Sequence, residues 1–242
     1  MHEPAPPRTN NILPSQKIES TKLSHLSPEE RIELLTLIDK FSDCFSESPG
    51  FCSLVERVIP LQSNFVPKRL TSYRIPLKLR AQVEQQLEEL LKLGIFRHSK
   101  SLMTSPVICL LKGKDGKGGV RLAIGYRYVN KFTISDPYPV PDLADIVQQV
   151  GNARYISTFD ATKGYYQTPV REQDRWLTAF VCEFGVFEFT ITPFGMRSSG
   201  ATFVRTVQRV LQPVRKFTAS YVDDMSVYSD ALEQHCRIWK NS

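Results

Sequence analysis

Cysteine is scarce here and shows no pairing pattern. The five thiols, Cys44, Cys52, Cys109, Cys182 and Cys236, are odd in number, scattered, and nowhere spaced as C-x-x-C. A disulfide framework and a zinc site are both set aside, and reduced thiols are expected. Long apolar runs are missing as well: the longest, Val107 to Leu111, is far too short to cross a bilayer. No stretch couples positive charge to an apolar run as a signal peptide does, so the expectation is an intracellular protein with no membrane partner. Nor is there an acidic excess. Lys and Arg number 31 against 25 Asp and Glu, a formal charge of +6 with a pI near 9.1. That balance is compatible with a polyanionic partner without demanding one.

What is present suffices for a core, since 41% of 242 residues are hydrophobic. The first 25 residues, with three prolines in the first seven positions and little apolar periodicity, read as a flexible leader. Ser27-Pro28-Glu29-Glu30 is a capping box with proline at the first helical position, and it predicts a helix over 28–41. Leu79, Val83, Leu87, Leu90 and Leu91 predict a second helix, with Gly94 placed as its C-terminal cap.

Ser105 to Leu111 and Val120 to Ile124 read as strands joined by a lysine- and glycine-rich tip at 112–119. Taken alone, that tip is a solubilising turn. Prolines at 137, 139 and 141 make an extended connector into a short helix near 142–150. Tyr155 to Asp160 is a strand ending on a carboxylate. Residues 179–192 form two β runs around a Gly185-Val186 turn, and 198–211 suits a helix. His235 and Cys236 are expected on a partly exposed helix surface.

The segment S-Y-V-D-D-M-S-V-Y-S, Ser220 to Ser229, sets two carboxylates side by side between β-forming runs, at an expected tight turn. Adjacent like charges cost free energy unless a cation sits with them. An isolated Asp-Asp turn is usually a solvated one. Asp160, at another strand end, would meet Asp223 and Asp224 if the two strands are neighbours. Three converging carboxylates would suit a hard cation such as Mg²⁺.

These residues carry a resemblance. Phe159-Asp-Ala-Thr-Lys-Gly-Tyr-Tyr-Gln167, Thr192-Pro-Phe-Gly-Met196, Ala201-Thr-Phe203 and Tyr221-Val-Asp-Asp224 resemble, in order and rough spacing, the reverse transcriptases of gypsy-like LTR retrotransposons. Upstream, Val66-Pro, Arg74-Ile-Pro76, Glu89 to Ile95, Thr104 to Val107, Arg121 to Asn130 and Asp136 to Asp142 extend the similarity, so that it covers the chain from Leu26 onward.

The resemblance implies an α+β fold: the fingers and palm of a right-hand polymerase, with an antiparallel palm sheet backed by helices and no thumb. Residues 26–65 would be an N-terminal extension wrapping the fingers, 66–145 the fingers, and 146–242 a palm incomplete at its C-terminus. It implies RNA-directed DNA polymerase activity with two Mg²⁺ ions, Mn²⁺ being a possible substitute. The partners implied are deoxynucleoside triphosphates and an RNA or DNA template with a DNA primer.

Asp160, Asp223 and Asp224 would be the catalytic carboxylates and, with the Ala161 carbonyl, the metal ligands. Arg121, Lys112 and Lys114 would fold over the triphosphate. Tyr165 would exclude a ribose 2′-hydroxyl, while Phe194 and Gly195 would floor the nucleotide pocket. Tyr221, Val222 and Arg127 would face primer and template. The implied location is cytoplasmic, with virus-like particles or the nucleus as alternatives.

Three departures favour a second reading, a catalytically inactive or domesticated fragment that binds nucleic acid or a protein. Gly125 stands where the family carries aspartate. Ser198-Ser-Gly200 replaces Asn-Ala-Pro, a more flexible helix entry. The chain ends 18 residues after Asp224. An RNA-templated RNA polymerase shares the palm logic, but Tyr165 and the upstream similarity argue against it.

Overall fold

The computed structural model describes residues 13–18, 23–45, 48–111 and 119–241. In chain order its elements are α1 (Pro28–Lys40), α2 (Leu77–Lys92), β1 (Phe96–His98), β2 (Ser105–Leu111), β3 (Val120–Ile124), α3 (Arg127–Phe132), α4 (Leu143–Val150), β4 (Tyr155–Asp160), β5 (Phe180–Cys182), β6 (Gly185–Phe189), α5 (Ser199–Leu211), β7 (Thr218–Tyr221), β8 (Asp224–Ser229) and α6 (Leu232–Asn241). Short 3-10 turns span Pro14–Lys17, Gly164–Gln167 and Glu172–Thr178. No described helix is long and apolar enough to cross a membrane.

The predicted helix ends hold. At α1 the Ser27 hydroxyl accepts from the Glu30 amide while the Glu30 carboxylate accepts from the Ser27 amide, so two orphan donors are satisfied reciprocally. At the other end of α2, Gly94 takes φ +67°; its amide donates to Leu91 and that of Ile95 to Leu90. This is a Schellman closure, which glycine enters without the steric cost a Cβ would carry.

Two sheets follow. The first has the order β1-β6-β5-β2-β3, antiparallel except for the β2/β5 pair, which is parallel. Its core is aromatic: the Phe96 ring lies 5.2 to 5.7 Å from those of Phe180, Phe187 and Phe189, in edge-to-face contacts, with α2 closing the face through Val83 and Leu87. Strands on both sides of residue 145 build this one sheet, so the expected division there does not coincide with the sheets. The second sheet, β4-β8-β7, is antiparallel throughout. Phe159 and Val227 pack under it with Ile238 and Trp239 of α6.

Several expectations need correction. The α1 helix does not wrap the fingers segment: Leu34 and Ile38 pack with Tyr155 of β4 and Trp239 of α6, and Tyr155 donates to Glu30 at 2.9 Å. Within the expected leader, Ser15 is tied to Asp39 by its amide (3.0 Å) and its hydroxyl (2.7 Å). Two hairpin turns fall earlier than predicted. Cys182 pairs with Gly185, so that turn is Glu183-Phe184, and Tyr221 pairs with Asp224, so the second turn is Val222-Asp223.

His235 and Cys236 are buried, each 2% exposed, rather than partly exposed. The His235 ring is enclosed because α6 seats it between two strands: Ser157 of β4 lies 2.8 Å from Nε2 and Ser229 of β8 lies 2.9 Å from Nδ1. Ser229 donates its own proton to the Ala231 carbonyl, so it accepts from Nδ1–H, and Ser157 then donates to Nε2 of a neutral ring.

Candidate active site

The β4/β8 pairing determines the site. Asp160, last residue of β4, is the register partner of Asp224, first residue of β8. Directly opposed residues of an antiparallel pair share a face, so these two carboxylates stand on the same side of the sheet. Asp223 is the second residue of the two-residue turn, and its carbonyl accepts from the Ala161 amide at 3.3 Å. All three aspartates are exposed, and none is in an ion pair among the described residues.

The turn itself is strained. Val222 takes φ +56° while Asp223 does not have a positive φ, the pattern of a II′ turn, whose first position favours glycine. A β-branched residue there costs on the order of 1–3 kcal/mol. The surrounding hairpin must over-determine the conformation, and it presents Asp223 at the sheet edge.

Beyond Asp160 the chain bends through Lys163, at φ +49°, into Gly164. A Cβ on Gly164 would lie 2.5 Å from the Phe203 ring, so the close approach of the loop to α5 requires glycine. Tyr165 follows. Its ring lies 4.8 Å from that of Phe194 and 5.3 Å from that of Phe203. Burial raises the pKa of its phenol, and the nearby charge of Asp223 adds to the rise. Arg121 of β3 lies over the Phe194 ring at 5.9 Å. Arg121 and Tyr165 therefore meet on one ring, that of Phe194.

Chemically, these carboxylates are oxygen donors without basic partners, the donor type that hard divalent cations take. Among the described residues no three His, Cys, Asp or Glu side chains are gathered at ligating distance from one another. The fold brings the carboxylates to one sheet end without closing them into a cluster.

Comparison with known proteins agrees with this geometry. Residues 111–241 match the family described as "Reverse transcriptase (RNA-dependent DNA polymerase)", which is more than half of the chain. The chain belongs to the reverse transcriptase family. Its relatives include the retrovirus-related Pol polyprotein from transposon 297 of Drosophila melanogaster, 32% identical over 94% of this chain and 23% of the relative. The Pol polyprotein from transposon gypsy of the same fly is 36% identical over 64% of this chain and 15% of the relative. This reverse transcriptase chain thus spans a quarter or less of those relatives.

Its fold matches a foamy viral protease-reverse transcriptase solved with an RNA/DNA hybrid, at TM-score 0.82 and 24% identity, over 99% of this chain and 32% of that one. A second foamy viral protease-reverse transcriptase, solved with double-stranded DNA, matches at TM-score 0.81 and 24% identity, over 98% of this chain and 50% of that one.

The structure brings Arg121 and Tyr165 together on Phe194, and sets Asp160, Asp223 and Asp224 at one end of the three-stranded sheet. Gly195 sits at φ +85° in the Phe194 loop, and Tyr221 and Val222 lie in the hairpin itself. Arg127 begins α3 and lines, with Tyr73, Pro106 and Gly125, a separate cleft of about 390 Å³. Lys112 and Lys114 lie outside the described residues.

The helix entry expected to be flexible is tied down: the Ser198 hydroxyl accepts from the Asp136 amide at 3.0 Å, and that of Ser199 donates to the Pro193 carbonyl at 3.0 Å. Asn130 escaped the sequence reading as a site residue. Its amide donates to the Gly195 carbonyl at 2.8 Å and its oxygen accepts from the Arg197 amide at 2.7 Å, holding the loop under Phe194. An asparagine inside the short helix α3 carries no local signal for such a role.

Proposed function

We propose that this chain is the catalytic core of an RNA-directed DNA polymerase, adding deoxynucleotides to a primer 3′-hydroxyl on an RNA or DNA template. The observation that carries the reading is the register pairing of Asp160 with Asp224, with Asp223 in the adjoining turn and Tyr165, Phe194 and Arg121 alongside. Foamy viral relatives of the fold were solved with an RNA/DNA hybrid and with double-stranded DNA, which supports a nucleic-acid partner.

Asp160, Asp223, Asp224 and the Ala161 carbonyl would hold divalent cations, magnesium first and manganese as a substitute. Bound there, such ions stabilise charge on the attacking and leaving oxygens of phosphoryl transfer. The chain's own residues do the rest. Arg121, with Lys112 and Lys114, neutralises the triphosphate, the arginine as a planar fork. Tyr165, fixed between Phe194 and Phe203, occupies the space a ribose 2′-hydroxyl would need. Phe194 and Gly195 floor the pocket, Tyr221 and Val222 meet the primer end, and Arg127 meets the template. In this reading the five-stranded sheet serves as the fingers and the three-stranded sheet as the palm.

The ungathered carboxylates favour a second reading, a nucleic-acid-binding fragment without turnover. Primer extension on poly(rA)-oligo(dT) with Mg²⁺ separates the two. Asp223→Asn should cut incorporation on the order of a thousandfold, the loss of several kcal/mol of charge stabilisation, while circular dichroism stays unchanged. Activity near that of the parent would overturn the site. A folded parent that binds the hybrid and extends nothing would establish the second reading.

A further inference from the structure

Arg57 is the largest fully buried side chain among the described residues, 1% exposed. Its backbone is pinned in an extended segment: its amide donates to the Pro169 carbonyl at 2.8 Å and its carbonyl accepts from the Arg171 amide at 3.0 Å. The guanidinium forks. One terminal nitrogen donates to the Thr202 hydroxyl at 2.8 Å and the other to the Arg197 carbonyl, while Nε has no partner.

Among the described residues no carboxylate pairs directly with it. Asp174 is committed to Arg171 and to the Ile59 amide, and Asp136 to Arg205. Burial pulls its pKa down to about 10 against the opposing influence of Asp136, Tyr126 and Asp174, so it stays charged at neutral pH. Burying a cation without a direct counter-charge is costly, and an apolar side chain of similar length would fill the space without that penalty. The compensation comes from charge-assisted bonds to the Arg197 carbonyl, just before α5, and to the Thr202 hydroxyl in the first turn of α5.

Arg197 ends the loop carrying Phe194 and Gly195, and Thr202 belongs to the helix that follows it. Arg197 is held at its amide by Asn130 and at its carbonyl by Arg57, so the peptide units flanking this one residue are fixed from opposite sides. Thr202, the other acceptor, in turn donates to the Ser198 carbonyl at 3.2 Å. Three residues upstream, Phe194 meets Tyr165.

We infer that Arg57 is a positioning residue: together with Asn130 it clamps residues 194–198 and so holds Phe194 against Tyr165, which sets how strictly the pocket rejects a ribonucleotide. The clamp stands on the contacts alone, whereas its effect on sugar choice rests on the polymerase reading.

Arg57→Lys, which keeps the charge and loses the fork, and Thr202→Val, which removes one acceptor, test it. Hydrogen exchange of amides 194–199 should accelerate about tenfold in Arg57→Lys, the effect of losing one charged hydrogen bond, and less in Thr202→Val, with the β7–β8 hairpin unchanged in both. In primer extension Arg57→Lys should raise KM for deoxynucleotides more than it lowers kcat, and raise ribonucleotide incorporation relative to deoxynucleotide. Unchanged exchange in the loop, or acceleration spread evenly over the whole chain, overturns the clamp. Accelerated loop exchange with an unaltered sugar ratio overturns the role in selectivity. A parent that extends no primer sinks the polymerase reading, and the exchange result still decides the clamp.

Discussion

In the five-stranded sheet, β1, β5 and β6 interlock through four phenylalanines, and the strand burial runs nearly continuous, as in Gly185–Phe189. The three-stranded sheet is different. Along β4 every second residue, Ile156, Thr158 and Asp160, stands exposed, while Tyr155, Ser157 and Phe159 face α1 and α6. The first sheet buries most of β5 and β6 at its centre. The other leaves a face open, and that is where the carboxylates stand. The contrast places stability and chemistry in separate layers: apolar burial in the first sheet supplies rigidity, and the second sheet's bare face remains accessible to large substrates.

The largest test of this contrast is Phe96→Ala. It empties the centre of the aromatic cluster and should cost about 3–5 kcal/mol, read as a lowered denaturation midpoint in urea. A cost under about 1 kcal/mol would show that the first sheet is not the stability centre. Next comes acid. Burial holds the His235 ring's pKa below its usual 6.5. As pH falls from 7, the unfolded chain takes up a proton before the folded one, so stability is lost from about 6.5 downward. The groups facing the ring are the Ser157 and Ser229 hydroxyls, Tyr155 and Trp239, with Glu30 reached through Tyr155.

The shifted carboxylates, Glu30 and Glu172, are lowered from 4.5, so a thermal-melt series between pH 7 and 5 isolates the imidazole. His235→Asn should flatten that series, and a slope equal to the parent's would remove His235 as its source. The smallest effect belongs to the open face: Ile156→Thr, at a side chain 48% exposed, should move stability by no more than about 0.5 kcal/mol in urea. A larger loss would mean that the face is covered.

Much of this was readable in the sequence because local chemistry announced it. Ser27 with Glu30, and Gly94 after an apolar stripe, fixed helix ends through backbone hydrogen bonds that depend on neighbours only. Tyr155 to Asp160 showed a β run closing on an acid. The remainder depended on distant partners. The turn at Val222-Asp223 was missed because valine is a poor choice for a left-handed position, and only the strands on either side force it there. Strand β1, three residues long, is too short to show a period. His235 looked like a surface group because Ser157 and Ser229 cannot be seen from α6, and nothing local singled out Arg57, since buried arginines are rare. At the site the acids and Tyr165 were visible, while Asn130 and Arg57, which act through backbone, were not.

The contact of α1 with Tyr155 and Trp239 has a consequence for how the chain is made. Roughly 200 residues separate Leu34 from Trp239, so at about 5–20 residues per second a ribosome needs about 10–40 s to deliver the partner. Through that interval α1 carries its apolar stripe without the cover that α6 and β4 give it, so the contact forms only once both ends of this stretch have left the ribosome.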